Sequence, residues 1–237
     1  MYSPRNMKKQ IPSINMFNKL KKAVFIAATF ISSNSFAQNF EGKVTYEVSF
    51  PGLEVPAEQK AMMPKEMLMY CKGSNSRTEL SMGMGMIQTT ISNGKNKEYI
   101  VWMDPDIMGN KTAIKFTEAD EKKKAGEIIP DVKITEETKT IAGYKCKKAI
   151  VTLKEENIVM PIWFTEEINT YNSQWESMYK GIKGMIMEAE MKTNGMDMKM
   201  TAKSVNKEAV ADSKFVVPEG YKQMTEDEFH KSLEFGQ

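Results

Sequence analysis

The side chains with the most distinctive chemistry in this sequence are thioethers. Two short alternating segments, Met185-Ile-Met187-Glu-Ala-Glu-Met191 and Met196-Asp-Met198-Lys-Met200, flank Asn194-Gly195. Asn-Gly favours a two-residue hairpin turn, because both positions need positive φ. Such a turn pairs Thr193 with Met196 and sets Met191 opposite Met198. Strand side chains alternate faces, so Met185, Met187, Met191, Met196, Met198 and Met200 are expected on one face. Glu188, Glu190, Asp197 and Lys199 are expected on the other. A thioether face supports three chemistries. Methionine fills irregular gaps in a core, and it makes deformable walls around varied apolar partners. Thioethers also select Cu(I), for which Met191 and Met198 are the candidate ligands.

Other reactive groups are scarce. The single histidine, His230, sits in an acidic tail, where an exposed helix position is expected. No H-E-x-x-H, G-x-S-x-G or P-loop occurs, and zinc sites need several Cys or His ligands. Carboxylates alternate with lysines, as on a solvated sheet face. The reading is of a non-enzymatic protein with no cofactor. Met82-Gly-Met-Gly-Met86 reads either as a strand with three methionines on one face or as a bulge or glycine-rich connection. Cys71 and Cys146 both fall in strand-like segments. They either pair in an oxidising compartment, if strand geometry permits, or stay as two buried thiols.

The elements that position these groups follow a leader. Lys19, Lys21 and Lys22 precede the apolar run Ala23-Val-Phe-Ile-Ala-Ala-Thr-Phe-Ile31 and a small-residue site, Ser35-Phe-Ala37. That order describes a secretory signal peptide over residues 1–37, with Met1 or Met16 as its start. The apolar run is far shorter than the roughly 20 residues of a membrane span. A secreted, periplasmic protein cleaved near Ala37 is expected, with no membrane span. Residues 1–37 hold six basic and no acidic side chains, so the remainder carries 27 basic against 31 acidic groups, a net of −4 rather than +2. A nucleic-acid partner then has no electrostatic motive. Of the 21 methionines, 18 follow the leader. Residues 38–237 suit a single domain with a substantial core.

That domain reads as mainly antiparallel β. Lys43-Val-Thr-Tyr-Glu-Val-Ser-Phe50 alternates cleanly, and strand-like segments follow at 67–72, 76–82, 86–92, 96–103, 112–116, 131–141, 144–154, 157–165, 183–193 and 196–206. Turns are expected at Asn93-Gly94, Ala142-Gly143, Glu156-Asn157 and Asn194-Gly195. Short helices are expected over 56–67, interrupted at Pro64, and over 172–179, with Trp175, Met178 and Tyr179 at helical spacing. A third is expected from Thr225, where Glu228 completes a capping box. Residues Glu118–Glu127 read as a solvated loop or helical turn. The fold class is a strongly curved antiparallel sheet or incomplete barrel, with two or three short helices on its concave side.

Several stretches recur together: Phe40-Glu-Gly-Lys-Val-Thr-Tyr46, Lys72-Gly-Ser-Asn-Ser-Arg77-Thr-Glu, Lys139-Thr-Ile-Ala-Gly143-Tyr-Lys-Cys146-Lys-Lys-Ala, Ile162-Trp-Phe-Thr-Glu-Glu167 and Phe215-Val-Val-Pro218-Glu-Gly-Tyr221. By their order and spacing the chain resembles the secreted bacterial domain-of-unknown-function family numbered 4412. More distantly it is similar to the lipoprotein-carrier (outer-membrane lipoprotein sorting) superfamily. That resemblance implies a curved sheet half-enclosing helices, and an apolar cavity that receives acyl chains; it implies no catalytic residues. The expected partner is a lipid or other apolar ligand, held by Met185, Met187, Met191, Met196, Met198, Met200, Trp175 and Met178, with Met62 and Met63 beside them. The alternatives are a Cu(I)-binding periplasmic protein and a structural envelope-interaction domain.

Overall fold

Alternating apolar residues and turn-forming punctuation make hairpins, and in the computed structural model eleven successive strands and a late twelfth join one sheet. It describes residues 40–106, 111–120, 130–153, 158–170, 181–193 and 196–234. The described sheet belongs to the unit Asn39–Gln237; the leader, the helix expected over 172–179, the Glu156-Asn157 and Asn194-Gly195 turns and most of Glu118–Glu127 lie outside the described residues.

The strands are β1 (Gly42–Ser49), β2 (Glu66–Lys72), β3 (Asn75–Ser81), β4 (Ile87–Asn93), β5 (Glu98–Asp104), β6 (Thr112–Thr117), β7 (Asp131–Ile141), β8 (Tyr144–Leu153), β9 (Ile158–Thr165), β10 (Met185–Thr193), β11 (Met196–Lys207) and β12 (Lys222–Thr225). Their order is β12-β6-β5-β4-β3-β2-β1-β11-β10-β9-β8-β7. Two antiparallel meanders therefore meet where the first strand pairs with the eleventh. The sheet is open, not closed into a barrel, and the domain is mainly β. Helix α1 (Ala57–Met62) buries none of its residues. Helix α2 (Glu226–Glu234) follows β12, which pairs in parallel with β6.

The turn chemistry is visible at two places. Ala142 (φ 49°) and Gly143 (φ 86°) make a tight two-residue connection between β7 and β8, the geometry that favours asparagine or glycine at both positions. The Asn93 side chain accepts the Lys95 and Asn96 amides at 3.0 and 3.1 Å, which closes the β4–β5 turn.

Both faces of the sheet carry buried side chains. Partners directly opposite in a ladder share a face, so register defines an inner face with three rows. One runs Ala202, Tyr46, Met67, Leu80, Gln88, Met103; the next Val205, Val44, Met69, Thr78, Thr90, Val101, Ile114; the third Gly42, Cys71, Ser76, Ser92, Tyr99, Phe116. The main core uses this face around Val44, Tyr46, Met69 and Cys71, with Ile162, Ala189 and Met200. On the other face, over β3–β6, Trp102, Thr89 and Ala113 are buried. The C-terminal segment supplies Tyr221, whose ring lies 6.2 Å from Trp102 and whose hydroxyl donates to the Met103 carbonyl at 2.8 Å. Arg77 stacks 5.3 Å from the Trp102 ring and donates to the Lys214 carbonyl at 3.0 Å.

Both cysteines are free and buried, the second of the two readings left open by the sequence. The Met82–Met86 stretch is a connection rather than a strand: residues Gly83–Gly85 form a 3-10 turn between β3 and β4.

Candidate functional site

The register of the methionine hairpin matches the expectation from Asn-Gly. Thr193 pairs with Met196, Met191 with Met198, Glu190 with Lys199 and Ala189 with Met200. Backbone placement of Met191 and Met196 is described, but their side chains are not, and Trp175 and Met178 lie outside the described residues. Met185, Met187 and Met200 are buried in the main core, and Met198 is half-buried.

Strict alternation fails on β10. A register shift between Ile186 and Glu188, against β9, leaves Met187 as an extra residue, the signature of a β-bulge. In consequence Met185, Ile186, Met187, Glu188 and Ala189 are buried in succession. Glu188 shares its face with Trp163 and Thr201, opposite to Ala189, yet it is not solvated: it is 7 % exposed. Lys139 and Lys199 reach its carboxylate at 2.8 and 3.2 Å, and the Thr201 hydroxyl donates at 3.3 Å. Burial pushes this carboxyl up, but the hydrogen bonds and charges of the two lysines outweigh it and hold the pKa below its ordinary value.

Tyr46, from β1, is the centre of the inner site. Its hydroxyl donates to the Ile186 carbonyl at 2.9 Å and lies 4.0 Å from Met69 Sδ. Burial raises its pKa, with a contribution from Cys71. Burial also pushes the Cys71 thiol up to about 12, which leaves it protonated and unreactive. Beside Tyr46 is a cavity of ≈ 20 Å³ lined by Met67, Met69, Thr170, Gly184, Met185, Ile186 and Met200. That volume admits about one water; ligand pockets run to roughly 300–1,000 Å³. Four methionines thus wall a compartment with room for about one water.

The inner face does not end there. Past Met67 its rows pass Leu80, cross the polar Gln88, Thr90 and Ser92 of β4 and reach Met103, Val101, Ile114, Tyr99 and Phe116, the six apolar side chains all half-buried. Tyr99 and Phe116 stack with centroids 4.8 Å apart. Sequence reasoning named Met185 and Met200 at the cavity but missed Tyr46, Met67 and Met69. The alternation of Val44, Tyr46 and Val48, and of Met67 and Met69, carried that signal. Met62 and Met63 do not line the cavity; they end α1 against the Gly83 turn.

Among the described residues no group of three or more His, Cys, Asp or Glu could hold a metal. His230 is mostly exposed and 3.5 Å from Glu226. No helix among the described residues is long and apolar enough to cross a membrane.

Fold and site together define a mainly β domain with one open sheet and an inner face that buries an apolar core around Tyr46. The family model described as the N-glycanase peptide, N-terminal domain matches residues 58–228, and the chain belongs to that family. This corrects the resemblance to the family numbered 4412. The motifs that suggested it are strands and tight turns, such as Lys139–Ala149 around Ala142-Gly143, and an antiparallel sheet of this kind demands them whatever the family. Among solved structures, PNGF-II in its P21 crystal form is 18% identical over 82% of this chain, with a TM-score of 0.54. The C2 form is 16% identical over 83%, with a TM-score of 0.53. In each case 33% of the PNGF-II chain is covered, so this chain spans about a third of that protein. At such identity the likeness is one of fold. LprF from Mycobacterium bovis is 9% identical over 76% of this chain and 90% of its own, with a TM-score of 0.32, too distant to bear on ligand or fold. No curated protein matches the sequence.

Proposed function

We propose that residues 38–237 form a non-enzymatic, secreted domain, sent to the periplasm by a leader ending at Ala37, that binds an apolar ligand such as a lipid or its acyl chain. The observation that carries this reading is the set of apolar side chains on the inner face, buried at Tyr46 and half-buried at Met67, Leu80, Met103, Val101 and Ile114, crossed at β4 by the polar Gln88, Thr90 and Ser92. The small size of the cavity sets the limit on how such a ligand lies. With ≈ 20 Å³ free, an acyl chain runs along the β2–β6 half, and Met185 and Met200 form a deformable stop at its end. Met198 joins them as a proposed ligand contact, with Met191, Met196, Trp175 and Met178 proposed from the sequence alone, while Met187 is packed in the core. The family's name refers to an N-glycanase; that activity belongs to its namesake and is not carried onto this chain.

Native mass spectrometry and organic extraction of protein purified from its own periplasm test the reading. A co-purifying lipid is expected, together with saturable binding of a fluorescent fatty acid that Leu80→Asn and Met103→Asn abolish without loss of fold. Lipid-free protein that shows no saturable binding overturns it. A second reading, Cu(I) capture by paired thioethers, is favoured by the register that sets Met191 opposite Met198.

A further inference from the structure

Five methionines gather at one end of the sheet, outside the main core. Met62 and Met63 close α1, while Met82, Met84 and Met86 alternate with Gly83 and Gly85 between β3 and β4. Met84 is 79% exposed and Met62 48%; Met63, Met82 and Met86 are half-buried. A gap-filling role requires burial, so it does not account for the first two.

Three features hold this tip together. The Met82 amide donates to the Met86 carbonyl at 2.8 Å, one step beyond the Ser81–Ile87 pair that ends the ladder. Met82 and Met86 are therefore direct neighbours with side chains on one face, the spacing of a cross-strand pair. Between them Met84 adopts φ 62°. That left-handed conformation is strained for a residue with a Cβ, and glycine takes it without strain. Backbone strain kept at a residue whose side chain reaches into solvent points to a use for that side chain. Finally, a Cβ on Gly83 would collide with the backbone of Met62, so the glycine lets the end of α1 abut the turn.

From this arrangement we infer that the tip is a binding site for the soft monovalent cation Cu(I), with thioether ligands from Met62, Met82, Met84 and Met86. Thioethers are soft, uncharged donors that select Cu(I) over hard ions. Their three rotatable bonds let sulfurs converge from two backbone segments onto one ion. A thioether has no proton to lose, so binding releases none, and affinity is flat with pH where thiolate or imidazole sites lose affinity in acid. The site is separate from the Met191–Met198 pair and from the apolar inner face, and a lipid-free protein that still binds Cu(I) distinguishes the two.

Anaerobic titration of the purified chain with Cu(I), against bicinchoninate as a chromophoric competitor, tests the inference. One equivalent is expected to be withheld from the competitor, equally at acid and neutral pH. Met84→Leu and Met62→Leu should each weaken binding by at least about tenfold, the loss that removing even a supporting group causes at a metal site. Met224→Leu, on the remote strand β12, should bind as the parent does. Leucine keeps the apolar volume, and Met84 is exposed, so the first variant retains its fold by circular dichroism. No competition, unchanged affinity in Met84→Leu and Met62→Leu, dependence on Met191 and Met198 instead, or affinity that rises with pH each overturns the assignment.

Discussion

Met69→Ala removes a side chain that lines the compartment beside Tyr46. Met69 is 4% exposed, and its backbone sits opposite Val44 on one side and Thr78 on the other. Truncating a buried methionine to alanine costs about 2–5 kcal/mol, and the spread reflects how far the surroundings collapse. Two features place this site in the lower half of that range. A void of ≈ 20 Å³ already adjoins the side chain, and Met67, Met185 and Met200 around it can re-pack. The Tyr46 hydroxyl keeps its bond to the Ile186 carbonyl, so no donor is orphaned. A loss of about 2–3 kcal/mol is expected, measured as a lower urea midpoint at unchanged m. Met69→Leu, nearly volume-conserving, should cost less than about 1.5 kcal/mol. The cavity left by alanine approaches the order of 100 Å³, a size that in an apolar core stays dry and accepts benzene. Benzene should therefore return part of the lost stability. A loss under about 1 kcal/mol, or a full loss with no response to benzene, would refute the idea of a dry, deformable compartment.

Glu188→Gln should lower stability at neutral pH by about 1–3 kcal/mol; this is less than the 3–5 typical of breaking a buried pair, because Lys139 and Lys199 are each about a third exposed and rehydrate. The folded pKa of Glu188 is depressed, so its contribution is complete above the unfolded value of roughly 4.3 and disappears as pH falls through the folded one. Urea unfolding across that range should show the gap between variant and parent closing in acid, and a gap independent of pH contradicts the assignment. Ala142→Asn should raise the thermal midpoint by relieving part of a left-handed strain of about 1–2 kcal/mol; a fall would show that the packing of the Ala142 methyl outweighs that strain. Thr225→Ala removes the hydroxyl that accepts the Glu228 amide at 3.3 Å. It should cost about 0.5–2 kcal/mol locally, seen as faster hydrogen exchange in α2 with little change in global unfolding.

Eleven strands were legible because each carries its own alternation and its own turn residues. β12 was not. Lys222–Thr225 is polar, and its parallel partner β6 is remote in sequence. Thr225 was read correctly as a cap, since it ends the strand and accepts the Glu228 amide at once. The hairpin register was legible because Asn-Gly fixes the loop length, whereas the bulge at Met187 was not, because it arises from pairing with β9 rather than from any local signal. Glu188 was misread as solvated for a similar reason: Lys139 comes from β7, far along the chain. The cavity needed one further fact that periodicity cannot supply, the placement of β1 between β2 and β11. Only that adjacency brings Tyr46, Met67 and Met69 to Met200.

Methionine content alone therefore does not decide between a core, a lipid wall and a metal site; position does. Leucine replacement separates the roles, because it keeps the apolar volume and removes the sulfur. At buried Met69, Met185, Met187 and Met200, packing explains the residue, so leucine should shift stability modestly and leave Cu(I) affinity alone. At exposed Met84 and half-exposed Met62, leucine keeps what packing there is, so it should leave stability nearly alone and change the affinity. If the core variants lost Cu(I) binding while the tip variants kept it, the soft-metal chemistry would belong to the compartment beside Tyr46, and the exposed tip would need another explanation.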